Sequence, residues 1–257
     1  MLAKRIIPCL DIFNGKVIKG KRFTNHKTIG NVVDFSKYYA TSGADELVFY
    51  DIAASTENRL LNKSWISKVA ESINIPFCVA GGINKVSQAK EIFSLGADKI
   101  SINTPALNDP FFISRLADVF GSQCVVVGID SWFIKSSNSY QVKKYTGNQY
   151  ITNYTNWQTI SWIETIQKLG AGEVVINVIN QDGLKNGYDI KQLSDIRKHC
   201  SIPLIVSGGA GKDQHFLAAL KTAKVDGVLA ATAFHKNIID IKNLKRFLLS
   251  KGVEVRL

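Results

Sequence analysis

The chain alternates between two hydrophobic rhythms. Short apolar, β-branched runs recur near residues 5–10, 46–51, 77–80, 99–102, 124–129, 173–178, 204–207 and 227–231. Runs of this length bounded by turn residues read as buried strands. Between them, apolar positions fall at helical spacing near 32–42, 64–72, 87–95, 109–120, 156–169, 190–199, 212–222 and 241–251. In the fourth of these, Phe112, Ile113, Leu116, Ala117 and Phe120 share one face. Asp109-Pro110 ahead of it offers a capping side chain and a proline suited to the first helical position. Gly43, Gly96, Gly121 and Gly170 stand where helices should stop. Eight strand–helix units in strict alternation predict a (β/α)8 barrel, one domain over residues 1–257. A doubly wound open sheet is the alternative.

The pattern also repeats at half the chain length. Residues 75–82 read IPFCVAGG and residues 202–209 read IPLIVSGG. Asp45-Glu46-Leu47-Val48 is echoed by Gly172-Glu173-Val174-Val175, and Ala97-Asp98-Lys99-Ile100 by Val225-Asp226-Gly227-Val228. Ile7-Pro8-Cys9-Leu10-Asp11 is matched more loosely by Val126-Val127-Gly128-Ile129-Asp130. So long a period is not that of a solenoid. It predicts two half-barrels, about 1–122 and 123–257, a repeat that an open sheet explains less simply. Two longer segments, about 11–31 and 131–155, break the rhythm after strands 1 and 5. Asn14-Gly15 marks a turn in the first, and Tyr140–Tyr145 alternates like a hairpin strand in the second. On the face of a barrel where strands end, such segments are candidate lids.

Candidate chemistry concentrates at those strand ends. Asp11 and Asp130 close apolar strands in half-related positions, a placement that favours paired general acid–base work over capping or a loop ion pair. Gly81-Gly82 and Gly208-Gly209 each follow a strand, where backbone N–H groups can converge on an anion. Ser207, with Ala231 and Thr232 after the last strand, joins the second glycine pair. Asn103 and Thr104 join the first. The pattern implies a ligand with a phosphate at each end and both aspartates at its middle. Asn177, Asn180, Asp182 and Gly183 make a polar end after strand 6, with Asp182-Gly183 read either as help for the second phosphate or as a plain turn. Lys19, in the first long segment, either contacts substrate or is solvated. At the opposite end, Arg5, Glu46, Lys99 and Glu173 start strands 1, 2, 4 and 6. They form either a closed ionic ring in the barrel bottom or ordinary surface pairs.

Bulk properties narrow the class. With 46% hydrophobic residues the chain has ample core, and no apolar run is long enough to span a membrane. Met1-Leu2-Ala3-Lys4-Arg5 leads straight into a strand without an apolar signal region, so a cytoplasmic location is expected. Cys9, Cys78, Cys124 and Cys200 are widely spaced, which suits reduced thiols better than disulfides or a metal site. The four histidines share no metal spacing, and no dinucleotide or nucleotide loop motif occurs; neither metal nor cofactor is expected. The net charge of +11 comes from scattered lysines without interleaved aromatics, which argues against a nucleic-acid binder and allows modest steering of a phosphorylated substrate.

LAKRIIPCLD, DELVFYDIAAS, PFCVAGGI, GADKISIN, VVVGID, NQDGLKNGYD, SGGAGK and the ending GVEVRL closely resemble the cyclase subunit family of imidazole glycerol phosphate synthase, over the whole chain. The resemblance implies a histidine-pathway lyase with two phosphate sites. Such an enzyme uses ammonia to convert phosphoribulosyl-formimino-aminoimidazole carboxamide ribonucleotide to imidazole glycerol phosphate and aminoimidazole carboxamide ribonucleotide. It places the catalytic aspartates on Asp11 and Asp130 and the family's loop lysine on Lys19. It makes Arg5, Glu46, Lys99 and Glu173 a gate for ammonia from a glutaminase subunit docked beneath, in a heterodimer. Asp98 and Gln123 match positions at that subunit contact. Some members carry aspartate at Asn180 and threonine at Ala53, so Asn180 is retained as a candidate substrate contact and not as an acid. The sister isomerase of the pathway is the competing reading; it is expected to read VDLDGA where this chain has YDIAAS.

Overall fold

The computed structural model describes residues 2–21, 24–51, 63–146 and 152–257, and no side chains at 19–27. Ala53 lies outside the described residues, as does the side chain of Lys19. Eight parallel strands form the centre: β1 (Arg5–Phe13), β2 (Leu47–Asp51), β3 (Phe77–Ala80), β4 (Lys99–Ile102), β5 (Val125–Ile134), β6 (Glu173–Val178), β7 (Leu204–Ser207) and β8 (Gly227–Ala230). Each pairs with the next, and β8 returns to β1 through Arg5↔Gly227 and Ile7↔Leu229. That last pairing closes the barrel and excludes the open sheet.

The helices lie outside, at Val32–Thr41, Ile66–Ala70, Val86–Ser94, Phe111–Phe120, Thr159–Lys168, Ile190–His199, Asp213–Leu217 and Ile241–Ser250. The seventh continues through a π turn at Ala218–Thr222. Gly43, Gly96, Gly121 and Gly170 end helices with φ of +90°, +102°, +84° and +96°, a region that strongly favours glycine. Asp109 does not cap the helix at Phe111–Phe120. Its carboxylate accepts from Arg115 at 2.5 Å instead, and Pro110 occupies the cap position.

Two strands are longer than their apolar runs. β1 continues to Phe13 and β5 to Ile134, so Asp11 and Asp130 lie inside strands, not at their ends. Neighbouring ladders hold them there. Asp11 sits beside Tyr50, and Asp130 beside both Asn177 and Lys143. Beyond them the chain turns into antiparallel extensions, Lys16–Lys21 with Thr24–Asn31 after β1, and Ser139–Lys144 with Asn153–Gln158 after β5. Lys19 is therefore in a strand rather than an irregular loop. Two short helices, Thr104–Asn108 and Thr232–His235, follow β4 and β8 and were not distinguished by the apolar rhythm.

The core has two shells. The larger packs the outer strand faces against the helices. The smaller fills the barrel with Ile7, Cys9, Val48, Cys78, Val126, Val175, Ile205 and Leu229. Each aliphatic side chain in that plug contributes ~1.5–3 kcal/mol of burial. All four cysteines are free thiols, three of them buried. Among the described residues no helix is long and apolar enough to cross a membrane.

Asp45 ties the C-terminal segment to the start of β1. It is buried, accepts from the Ile6 amide at 2.8 Å and from Lys245 Nζ at 2.9 Å, and meets Arg256 Nε at 3.3 Å. The Asp45 and Lys245 side chains are both only 3% exposed. Breaking such a pair leaves a buried charge uncompensated, which costs ~3–5 kcal/mol, whereas neutralising both partners costs less. Lys245→Met is expected to lower the urea midpoint strongly, and the double variant with Asp45→Asn to recover part of the loss. A single-variant midpoint equal to that of the parent would show that this pair does not anchor the C-terminal segment.

Candidate active site

Pleating turns every second side chain of a barrel strand inward. On β1 that series is Arg5, Ile7, Cys9 and Asp11; on β5 it includes Val126, Gly128 and Asp130; on β6 it is Glu173, Val175 and Asn177. The interior is therefore built in floors.

The lowest floor is a closed ionic ring. Arg5 Nη1 donates to Glu46 Oε2 at 2.5 Å and Nη2 to Glu173 Oε2 at 2.6 Å. Lys99 Nζ reaches both Glu46 oxygens at 3.0 Å and Glu173 Oε2 at 3.2 Å. Burial pushes the Glu46 carboxyl above its ordinary range and Glu173 adds to this, against the pull of Lys99 and Arg5. Burial also disfavours the Lys99 ammonium, but Glu173 and Glu46 outweigh it and hold its pKa above the ordinary value. Of the two readings of these charges, the ring is the one formed. Asp98 and Gln123 are exposed on the same face. Asp98 caps the Phe77 amide at 2.9 Å, as its half-mate Asp226 caps the Leu204 amide at 3.0 Å.

The upper floors open into a cavity of about 870 Å³, within the size range of small-molecule sites. Asp11 and Asp130 line it together with both glycine pairs. Asn103, Thr104, Gly183, Ser207, Ala231 and Thr232 line it as well. The two short helices begin at this cavity in half-related positions, Thr104–Asn108 beside the first glycine pair and Thr232–His235 beside the second. Gly81 and Gly209 have φ of +111° and +112°. A Cβ on Gly81 would stand 2.4 Å from the Asp51 carbonyl oxygen, and one on Gly209 2.1 Å from that of Gly187. The loop backbone itself thus requires these glycines, whatever they bind.

Asp130 is buried and takes hydrogen bonds from Asn103 Nδ2 at 2.7 Å, Asn177 Nδ2 at 2.8 Å and Thr146 Oγ1 at 2.5 Å. Burial raises its pKa, and the three donors pull the other way without cancelling the rise. Asp11 is half-buried. Asn180 differs from expectation. Its side chain clamps the main chain of Phe133, accepting from the amide at 2.7 Å and donating to the carbonyl at 3.4 Å, and it does not line the cavity. A short amide side chain bonds its nearest free main-chain groups, and β5 continues past Asp130 to supply them.

Several contributors had little signal in the sequence. Thr146 follows the long hairpin and reaches Asp130 only because that hairpin folds back. Tyr145, beside it, donates its amide to Thr104 Oγ1 at 3.3 Å. His235 links three elements: Nε2 meets the Cys9 carbonyl at 2.9 Å, and Nδ1 meets the Tyr39 hydroxyl at 2.6 Å. A carbonyl only accepts, so Nε2 carries a proton, and in the neutral imidazole Tyr39 then donates to Nδ1. Tyr50 places a phenol inside the barrel; alternation along β2 from Glu46 could have identified it.

The family model for histidine biosynthesis proteins matches residues 5–240. Over 257 residues, all of both chains, the sequence is 63% identical to imidazole glycerol phosphate synthase subunit HisF of Baumannia cicadellinicola subsp. Homalodisca coagulata. It is 61% identical, also over all of both chains, to the protein of that name from Sodalis glossinidius (strain morsitans). The corresponding Klebsiella oxytoca protein is 59% identical over all of this chain and 99% of its own. With matches of this extent, the chain belongs to the histidine biosynthesis protein family and, within it, to the HisF subunits of imidazole glycerol phosphate synthase.

Proposed function

We propose how this chain acts as the cyclase subunit of imidazole glycerol phosphate synthase in histidine biosynthesis. The carrying observation is a mouth with two inward carboxylates, Asp11 and Asp130, set between two half-related glycine loops. The loop at Gly81-Gly82, with Asn103 and Thr104, holds one phosphate of phosphoribulosyl-formimino-aminoimidazole carboxamide ribonucleotide. The loop at Ser207-Gly208-Gly209, with Gly183, Ala231 and Thr232, holds the other. The middle of the substrate then lies over the carboxylates. Ring closure by ammonia moves protons between nitrogen and oxygen atoms, so one carboxyl donates while the other accepts. The products are imidazole glycerol phosphate and aminoimidazole carboxamide ribonucleotide. Lys19, whose backbone lies in the strand after β1, is the further substrate contact that the family resemblance implies.

Ammonia enters from below. A glutaminase subunit docks on the face that carries Asp98 and Gln123, and ammonia passes the ring of Arg5, Glu46, Lys99 and Glu173 into the barrel. The half-related placement of the aspartates, the glycine loops and the amide-capping Asp98 and Asp226 supports one domain of two half-barrels, about 1–122 and 123–257. Free buried thiols suit a cytoplasmic setting.

The test is a cyclase assay fed first with ammonium salt and then with glutamine plus a glutaminase partner. Turnover of the preceding isomerisation instead would favour the sister enzyme. Asp11→Asn and Asp130→Asn are each expected to lose ~10²–10⁴ in turnover with the fold retained by circular dichroism. Parent-like turnover in both would remove the carboxylates from the chemistry.

The ring carries a separate expectation. Lys99→Ala leaves two buried carboxylates facing one guanidinium, which disrupts the ring. Glutamine hydrolysis and cyclisation should then uncouple, while activity on ammonium salt, which reaches the open mouth directly, falls less. Equal losses with both nitrogen sources would mean a general folding defect.

A further inference from the structure

Tyr50 carries a cost that the fold does not explain. Its hydroxyl oxygen is buried and has no hydrogen-bond partner among the described residues. Buried polar groups in native proteins are nearly always paired, and each exception calls for an explanation. Tyr50 itself is one of the residues that line the cavity. On the barrel wall it stands directly beside Asp11 in the β1–β2 register. Its other flank is small: Tyr50 pairs with Ala80, and Ala80 with Ser101. Gly128 adds no side chain to this floor, and a Cβ there would have Ser101 Oγ at 3.5 Å as its nearest neighbour. A large phenol thus stands on a floor whose neighbouring residues Ala80, Ser101 and Gly128 are small. Below it is the apolar plug of Val48, Cys78 and Val126, and below that the ionic ring.

We propose that Tyr50 is the docking point for ammonia above the ring and beside Asp11, its hydroxyl donating to the ammonia lone pair. The proposal rests on the function proposed above. A molecule arriving through the ring crosses the plug, aliphatic apart from the weakly hydrogen-bonding thiols of Cys9 and Cys78, and meets this hydroxyl on the strand beside Asp11. Burial, with Cys9, Cys78, Asp130 and Asp11 adding to it, pushes the phenol well above its ordinary pKa. The group therefore stays neutral and protonated, a donor that does not convert ammonia to ammonium. Ammonia held there is one strand away from Asp11.

Tyr50→Phe removes only the hydroxyl. Removing an unpaired buried polar atom relieves its desolvation cost, so the variant should unfold at an equal or higher temperature than the parent. Ammonia from ammonium chloride enters at the mouth but must still dock beside Asp11 to react, so at fixed pH its KM should rise ~3–10-fold, the worth of one hydrogen bond. The KM for the two-phosphate substrate should stay within about twofold of the parent value on the same grounds. In complex with the glutaminase, more glutamate should form per cyclised product. Parent-like ammonia KM and coupling would overturn the proposal and make the phenol a packing residue. A rise confined to the two-phosphate substrate would overturn it too, by assigning the hydroxyl to the organic substrate. If the parent itself does not use ammonium chloride, the cyclase reading fails instead, which the parent assay reveals separately.

Discussion

Closing a parallel sheet into a barrel forces every second side chain of every strand into one shared interior. That constraint sets the order of everything else in this molecule. Arg5, Ile7, Cys9 and Asp11 follow one another at a spacing of two, and so meet ring, apolar plug, polar floor and mouth in turn. A slip of one residue in β1 would send all four outward and bring Ile6, Leu10 and Ile12 in. Those three now pack against the helices. The same alternation that seals the core therefore stacks the chemistry along the barrel axis.

The stacking changes how the charges behave. The plug around Val48, Val126, Val175, Ile205 and Leu229 separates the bottom ring from the mouth by a stretch of aliphatic side chains and two thiols. Charges on either side are poorly solvated, and interactions there are stronger than in water. The protein meets the resulting cost in two ways. At the bottom, opposite charges contact directly, each carboxylate meeting both cations. At the mouth, Asp130 is surrounded by neutral donors, so its carboxyl is held in place without a counter-ion that would fix it as a carboxylate. Direct pairing would suit the proposed gate, and neutral donors the proposed proton exchange at Asp130.

What the sequence made legible follows from these periods. All eight barrel strands were readable, because fully buried parallel strands are continuous apolar runs. The ring was readable as charges that interrupt such runs at their starts. The lengths of β1 and β5 were not, since Asp11 and Asp130 end the apolar signal and neighbouring ladders, not propensity, carry the strands onward. Thr104–Asn108 and Thr232–His235 are too short for a helical period to register. Asn180, Thr146 and His235 have roles set by partners 47, 16 and 226 residues away, which no local pattern encodes.

The two halves depart from each other where electrostatics requires it. Glu46 and Glu173 are half-mates and both are kept in the ring, but both cations, Arg5 and Lys99, come from the first half. The half-mate of Lys99 is Gly227, and a Cβ there would lie 2.7 Å from Ile205 Cδ1 and 3.3 Å from the Arg5 Cβ. A fully symmetric ring would bring four cations to two carboxylates and leave net charge in the barrel floor, where unpaired charge is most costly. Asp45 diverges for a packing reason. Its half-mate is Gly172, where a Cβ would fall 1.9 Å from the Ser122 carbonyl oxygen, so only the first half has room for an acid at this position. That acid is the one that grips Lys245 and Arg256 and fastens the C-terminal segment beneath β1. The repeat thus survives at the mouth, where both glycine loops line one cavity from half-related positions. It breaks at the floor, where charge neutrality and the C-terminal segment each need only one of the two copies.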